Sequence, residues 1–194
     1  MWKNNILRER AGTLNICLIL SVCIGLISGC AAVDHDRDRH NQADAHIAQA
    51  REYLTTASDL FNKHRYDEAE KYATMGLQEF EESQHLCAIS ISCQPNSKPV
   101  QRVYKHTYSL RASIRVAEGK FSLAIKDAND GLYYDKNDPI LHYVIGYCSV
   151  ETGDFDTADR EQVILESIDK KLAGDLYARI ASAKLRGLKM LIQQ

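Results

Sequence analysis

Three segments of the chain repeat one ordering of large and small side chains, and that repeat restricts the fold more than any other feature. Tyr66-Asp67-Glu68-Ala69, Phe121-Ser122-Leu123-Ala124 and Phe155-Asp156-Thr157-Ala158 each set an aromatic three residues before an alanine. Two residues before the aromatics stand His64, Gly119 and Gly153, and twelve residues before the alanines stand Ala57, Ala112 and Gly146. Gly76-Leu77 and Gly131-Leu132 follow the first two alanines at matching distances. Two antiparallel helices approach closely only where small side chains let their backbones meet. Ala57, Ala112 or Gly146 on a first helix, and Ala69, Ala124 or Ala158 on a second, satisfy that need. Gly119 and Gly153 stand where a helix ends in a left-handed residue. A glycine inside a helix costs about 1 kcal/mol, so Gly76 and Gly131 need a packing reason, and close helix contact supplies one. With only three prolines in the chain and no run of strand alternation, the pattern from about His46 onward is helical throughout.

This set of positions resembles the tetratricopeptide repeat, a helix–turn–helix unit of 34 residues. The units fall at 50–83, 105–138 and 139–172, the last two adjacent. The resemblance implies an all-α fold, a right-handed superhelical array of antiparallel helix pairs, within a domain spanning 45–194. The usual proline near the end of each unit is replaced by Glu81, Lys136 and Lys170. In the third unit Leu165 stands at the small position and Gln162 at an apolar one. An insertion over 84–104 separates the first two units. Asp138-Pro139 is a helix start, with Asp as cap and Pro in the first turn. An amphipathic helix over 174–193, with Leu176, Ile180, Ala183, Leu188 and Leu191 near one face, is expected to cover the open end of the array; the alternative is a dimerisation or partner helix.

The first thirty residues form three zones. Lys3, Arg8 and Arg10 precede an uncharged apolar run, Ile16 to Ile27, and Ile27-Ser28-Gly29-Cys30 closes it. The run is shorter than the roughly 20 residues a membrane-spanning helix needs and suits a secretory signal. The whole is similar to a bacterial lipoprotein signal with its lipobox. That resemblance implies cleavage after residue 29, acylation of Cys30, and an anchor of two or more chains, where one chain gives only marginal binding. Ala31 rather than Asp after the cysteine implies the outer membrane, with the domain facing the periplasm. Residues 30–44 read as an acylated end and a flexible, solvated tether, with Asp34, His35, Asp36, Asp38 and His40 as spacer residues rather than a metal site.

Removing residues 1–29 leaves 21 basic and 25 acidic residues, a net charge of −4. Without a basic excess, nucleic acid is not an expected partner. Export permits disulfides, and Cys87 and Cys93, close together in the insertion, are the natural pair. Cys148, in an apolar segment, is expected to be a buried free thiol. No second close Cys or His pair suggests zinc, and no phosphate loop, His-Glu-x-x-His or Gly-x-Ser-x-Gly is present. The chain is therefore read as a non-enzyme without a cofactor or metal.

Binding remains. In tetratricopeptide repeats the inner wall is built from the second, fifth, ninth and twelfth positions of each unit. The resemblance carries these to Arg51, Leu54, Ser58 and Phe61; to His106, Ser109, Ser113 and Val116; and to Ile140, Tyr143, Tyr147 and Val150. The family's clamp for peptide carboxylates uses Lys, Arg and Asn, and only Arg51 matches in kind. A wall of Leu54, Phe61, Tyr143 and Tyr147 with serines suits an extended segment or helix of another protein, although Tyr143 and Tyr147 could equally be core. The leading expectation is a membrane-anchored adaptor for an envelope protein. The alternatives are a self-associating structural lipoprotein, including a homodimer; an assembly factor of the pilotin kind for a secretion or pilus machine; and, last, a cell-wall enzyme.

Overall fold

The computed structural model describes residues 34–89 and 98–192. Residues 1–29, expected as a signal, and Cys30 and Cys93 lie outside the described residues. Among the described residues seven helices follow one another: α1 over residues 34–62, α2 Tyr66–Ala88, α3 Lys98–Ala117, α4 Phe121–Leu132, α5 Pro139–Thr152, α6 Phe155–Ile168 and α7 Lys170–Ile192. Among the described residues there is no strand. The helices form an array of antiparallel pairs, α1–α2, α3–α4 and α5–α6, with α7 laid over the last pair.

The repeated sequence positions do repeated work. Among the described residues His64, Gly119 and Gly153 are the three with positive φ, at 59°, 73° and 82°. The amide after each donates back into the preceding helix: Arg65 to the Leu60 carbonyl at 3.0 Å, Lys120 to Arg115 at 2.8 Å, and Asp154 to Ser149 at 2.8 Å. Each turn is thus the same left-handed stop. Ala57 and Ala69, then Ala112 and Ala124, are fully buried in shared clusters. A Cβ on Gly76 would stand 3.3 Å from the Ala50 carbonyl oxygen, and one on Gly131 would stand 2.7 Å from Leu141 and 2.9 Å from Tyr108. Gly146 has a different neighbour. Its added Cβ would lie 2.4 Å from Leu176, so it makes room for the capping helix.

The core runs between successive pairs. Leu60 and Ala73 pack with Ile114 of α3, and Phe80 packs with Tyr104, whose hydroxyl donates to the Phe80 carbonyl at 2.7 Å. Leu141, Ile145 and Cys148 join α5 to α4, while Leu165, Leu176 and Ile180 join α6 to α7. Asp138 caps α5 as expected, accepting from the Ile140 and Leu141 amides at 2.8 and 3.1 Å.

Three boundaries differ from the sequence reading. Residues 34–44, expected as flexible tether, are helical and continuous with α1. Ala43 is buried, and Arg39 donates to the Ile89 carbonyl at 2.7 Å, so this stretch packs along an α2 that is longer than its repeat unit. The 84–104 insertion is largely helix extension, α2 reaching Ala88 and α3 starting at Lys98. The capping helix starts at Lys170, inside the third unit as drawn, because Asp169 accepts from the Lys171 and Leu172 amides at 3.0 and 3.1 Å and starts a new helix. Leu165, out of place in a repeat, is fully buried against that helix.

Candidate protein-binding surface

The wall residues divide into two places. Between α1 and α3 lies a hollow of about 480 Å³, lined by Arg51, Leu54, Thr55, Ser58, Asp59, Val103 and His106. Arg51, Leu54 and Ser58 fall one helical turn apart and come together as the repeat spacing implies, with His106 of the second unit opposite. Leu54 is mostly buried as part of the cluster around Phe80, so it forms the apolar floor while Arg51 and Asp59 stand exposed at the rim.

Phe61 does not join this hollow. It packs beside the first turn, 5.7 Å from the Tyr66 ring. Ser109 is buried and donates to the Lys105 carbonyl at 2.9 Å; Ser113 donates to the Ser109 carbonyl at 2.8 Å. Both hydroxyl protons are committed inside α3, so neither is a free donor for a partner.

Tyr143 and Tyr147 lie half-buried on α5, their rings 6.4 Å apart. Arg179 of α7 covers them: its Nε donates to the Tyr143 hydroxyl at 3.1 Å, and its guanidinium sits 4.7 Å from the Tyr147 ring centre. A second hollow, about 490 Å³, lies beside them and is lined by Tyr143, Val150, Glu151, Asp175, Arg179, Ser182 and Arg186, among others. The aromatic wall expected here is flanked by charge from the cap.

Sequence spacing missed a buried ion network. Asp127, 1% exposed, accepts from Arg111 at 2.6 and 2.9 Å and from Arg115 at 2.7 Å. Arg115 and Lys120 also bind Glu70, at 2.7 and 2.6 Å. Burial raises the Glu70 carboxyl pKa, but the bonds from Lys120 and Arg115 outweigh it and hold the group below the usual range. The network ties α2, α3 and α4 together. Its members come from three helices, so no local spacing signals it.

Cys148 is a buried free thiol, its pKa pushed up to about 12 by burial and by Glu151, which leaves it unreactive at neutral pH. Cys87 is disulfide-bonded; Cys93, its expected partner, lies outside the described residues. Among the described residues no cluster of His, Cys, Asp or Glu could hold a metal, and no helix is long and apolar enough to cross a membrane.

The fold thus defines a short tetratricopeptide-like helical array with a capping helix and an interhelical hollow at its first pair, beside others such as the hollow of about 590 Å³ between α6 and α7. It is similar to the crystal structure of the Yersinia enterocolitica type III secretion translocator chaperone SycD in an alternative dimer. The TM-score is 0.50 at 16% identity, over 72% of this chain and 95% of that one. At that identity the likeness is one of fold. No protein-family model matches the sequence, and no match is found among curated proteins.

Proposed function

We propose that the chain is a lipid-anchored adaptor that holds an extended segment of another protein in the hollow between α1 and α3. The observation that carries this reading is the hollow itself: an apolar floor of Leu54 and Val103 beneath a polar rim of Arg51, Ser58, Asp59 and His106. Apolar floors with polar rims bind protein segments by burying side chains and orienting backbone. The likeness of fold to a secretion translocator chaperone supports a protein-handling role and favours, within it, the assembly of a secretion or pilus machine. The leader and Cys30 support acylation and residence at the outer membrane facing the periplasm. The role requires no cofactor and no catalysis.

A photoreactive amino acid in place of Ser58, in cells producing the full chain, tests the hollow. An adduct with a second protein is expected from Ser58 and none from Lys126, which is exposed on α4; Ser58→Trp, which fills the hollow, should abolish capture by a probe at Arg51. Equal adducts from Ser58 and Lys126 would overturn the reading. The anchor is tested separately. Cys30→Ala should release the protein from the membrane fraction, and retention after a salt wash would refute acylation as the anchor.

A further inference from the structure

The capping helix carries a second apolar face that no other described residue covers. Ala173, Leu176 and Ile180 hold α7 on the last pair. Helix α6 has 14 residues and α7 has 23, about 21 and 35 Å at 1.5 Å per residue, and residues 184–189 are all exposed. On the other side of α7 run Ala178, Ala181, Leu185 and Leu188, at alternating spacings of three and four, which is a coiled-coil seam. Leu185 and Leu188 are 59% and 56% exposed, and Tyr177 beside the seam is 64% exposed.

The seam is graded. Its first half is small, Gly174, Ala178 and Ala181; its second half is large, Leu185 and Leu188. Gly174 is the telling residue. A Cβ on Gly76, Gly131 or Gly146 would press on a neighbour, but one on Gly174 or Gly187 would meet nothing within 4 Å, and of these two only Gly174 falls on the seam. Gly174 is the fifth residue of α7, where a helical glycine costs up to about 1 kcal/mol, and no described residue packs against it.

We infer that α7 is a homodimer interface, pairing antiparallel with α7 of a second copy about a two-fold axis near Ser182. In that register each layer matches small with large: Ala178 against Leu188 of the second copy, and Ala181 against its Leu185. The end of the second helix passes over Gly174. Flanking charge agrees, since antiparallel pairing sets Asp175 opposite Lys189 of the second copy. Lys184, which falls near the axis where it would meet its own copy, is already held by Asp159 at 2.8 Å. A self-complementary pattern of size and charge is what a two-fold interface requires, and an unrelated partner or a lipid surface would not impose it. Because α7 packs at the far end of the array from α1, the dimer leaves both α1–α3 hollows open and offers bivalent capture.

The test is cysteine crosslinking in cells producing the full chain. Ser182→Cys with a short bismaleimide should give a product of twice the chain mass, judged against the parent chain. Asp175→Lys should lose that product, and Asp175→Lys with Lys189→Asp should restore it. Asp175, Ser182 and Lys189 are all exposed, so none of these changes touches the core. Absence of a doubled-mass product, a product of another mass, or failure of the double variant to restore it would each overturn the pairing. Ser58→Trp should leave the crosslink unchanged, which separates this inference from the groove reading.

Discussion

The two ends of the array start from the same helix-pair geometry and finish with different surfaces. At the first pair, the hollow between α1 and α3 has an apolar floor and stands open. At the third pair, a hollow of similar size is walled by α7 and lined with Glu151, Asp175, Arg179 and Arg186. The difference traces to a few residues. Gly146 lacks the side chain that would block Leu176, so the cap can seat there. Once seated, it brings Arg179 over Tyr143 and Tyr147. In a repeat fold, therefore, the position of a side chain within its unit does not alone decide whether it binds. The next helix in the stack decides whether the position stays available.

The most forceful way to break this difference is to loosen the cap. Leu176 is fully buried in the cluster joining α5, α6 and α7. Leu176→Ala removes that anchor and leaves a cavity, at a cost of about 2–5 kcal/mol in chemical denaturation. The third hollow should lose its far wall, while capture at the first hollow should persist with unchanged affinity in whatever fraction stays folded. Affinity that fell along with stability would mean the two ends act as one unit, and the contrast drawn here would be wrong.

The cap also marks the boundary of what the sequence discloses. Positions whose role is local were legible. The left-handed turns at Gly119 and Gly153, the paired alanines and the Asp138 cap each depend on chain geometry within a few residues, whereas the positive φ of His64 has no glycine to signal it. Arg51, Leu54 and Ser58 are placed on one wall by the tetratricopeptide resemblance, and they line one hollow. Positions whose role depends on a distant helix were not legible. The covering of Tyr143 and Tyr147 requires Arg179 from α7, and the burial of Asp127 requires Arg111 and Arg115 from α3. Residues 34–44 show no apolar period, yet they are helical, with Ala43 buried and Arg39 bonded to the Ile89 carbonyl just past the end of α2. Ser109 and Ser113 occupy wall positions, but their hydroxyls turn back to their own helix.

The joint between the two regions offers a smaller lever. Lys105, in the first half of α3 and next in sequence to His106 of the first hollow, binds Asp135 at 2.8 Å and Asp138 at 3.0 Å in the segment leading to α5. The bond from Lys105 holds the Asp135 carboxyl below its usual range, and the bond to Asp135 raises the Lys105 ammonium. A lowered carboxyl contributes stability above its unfolded value, about 3.9, and loses it as pH falls through the lower folded value. A raised ammonium contributes below its unfolded value, about 10.4, and loses it as pH rises through the higher folded one. Both groups are partly exposed, so the gain is about 1 kcal/mol or less. Lys105→Met should therefore be less stable than the parent at pH 7, with the gap closing as pH falls below the ordinary carboxyl value and on through the lowered folded one. A gap that stayed constant with pH would assign the loss to packing of the Lys105 stem.

The smallest effect compares the turns themselves. The first turn places His64 at φ 59°, where the third places Gly153 at φ 82°. A side chain in the left-handed region costs roughly 1–2 kcal/mol. The His64 ring recovers part of that through a 2.7 Å hydrogen bond between Nδ1 and the Tyr66 hydroxyl. His64→Gly relieves the strain but loses this bond, and it adds about 0.5–1 kcal/mol of unfolded-chain entropy to be overcome. The terms nearly cancel, so the expected change in denaturation midpoint is slight. Gly153→Ala has no such offset. Nothing lies within 4 Å of its added Cβ, so no steric clash confuses the result, and the backbone penalty should appear alone as a loss of about 1 kcal/mol. Gly153→Ala should therefore cost clearly more than His64→Gly changes in either direction. Equal and opposite shifts would show that the Tyr66 bond contributes nothing, and that the first turn is strained where the third is not.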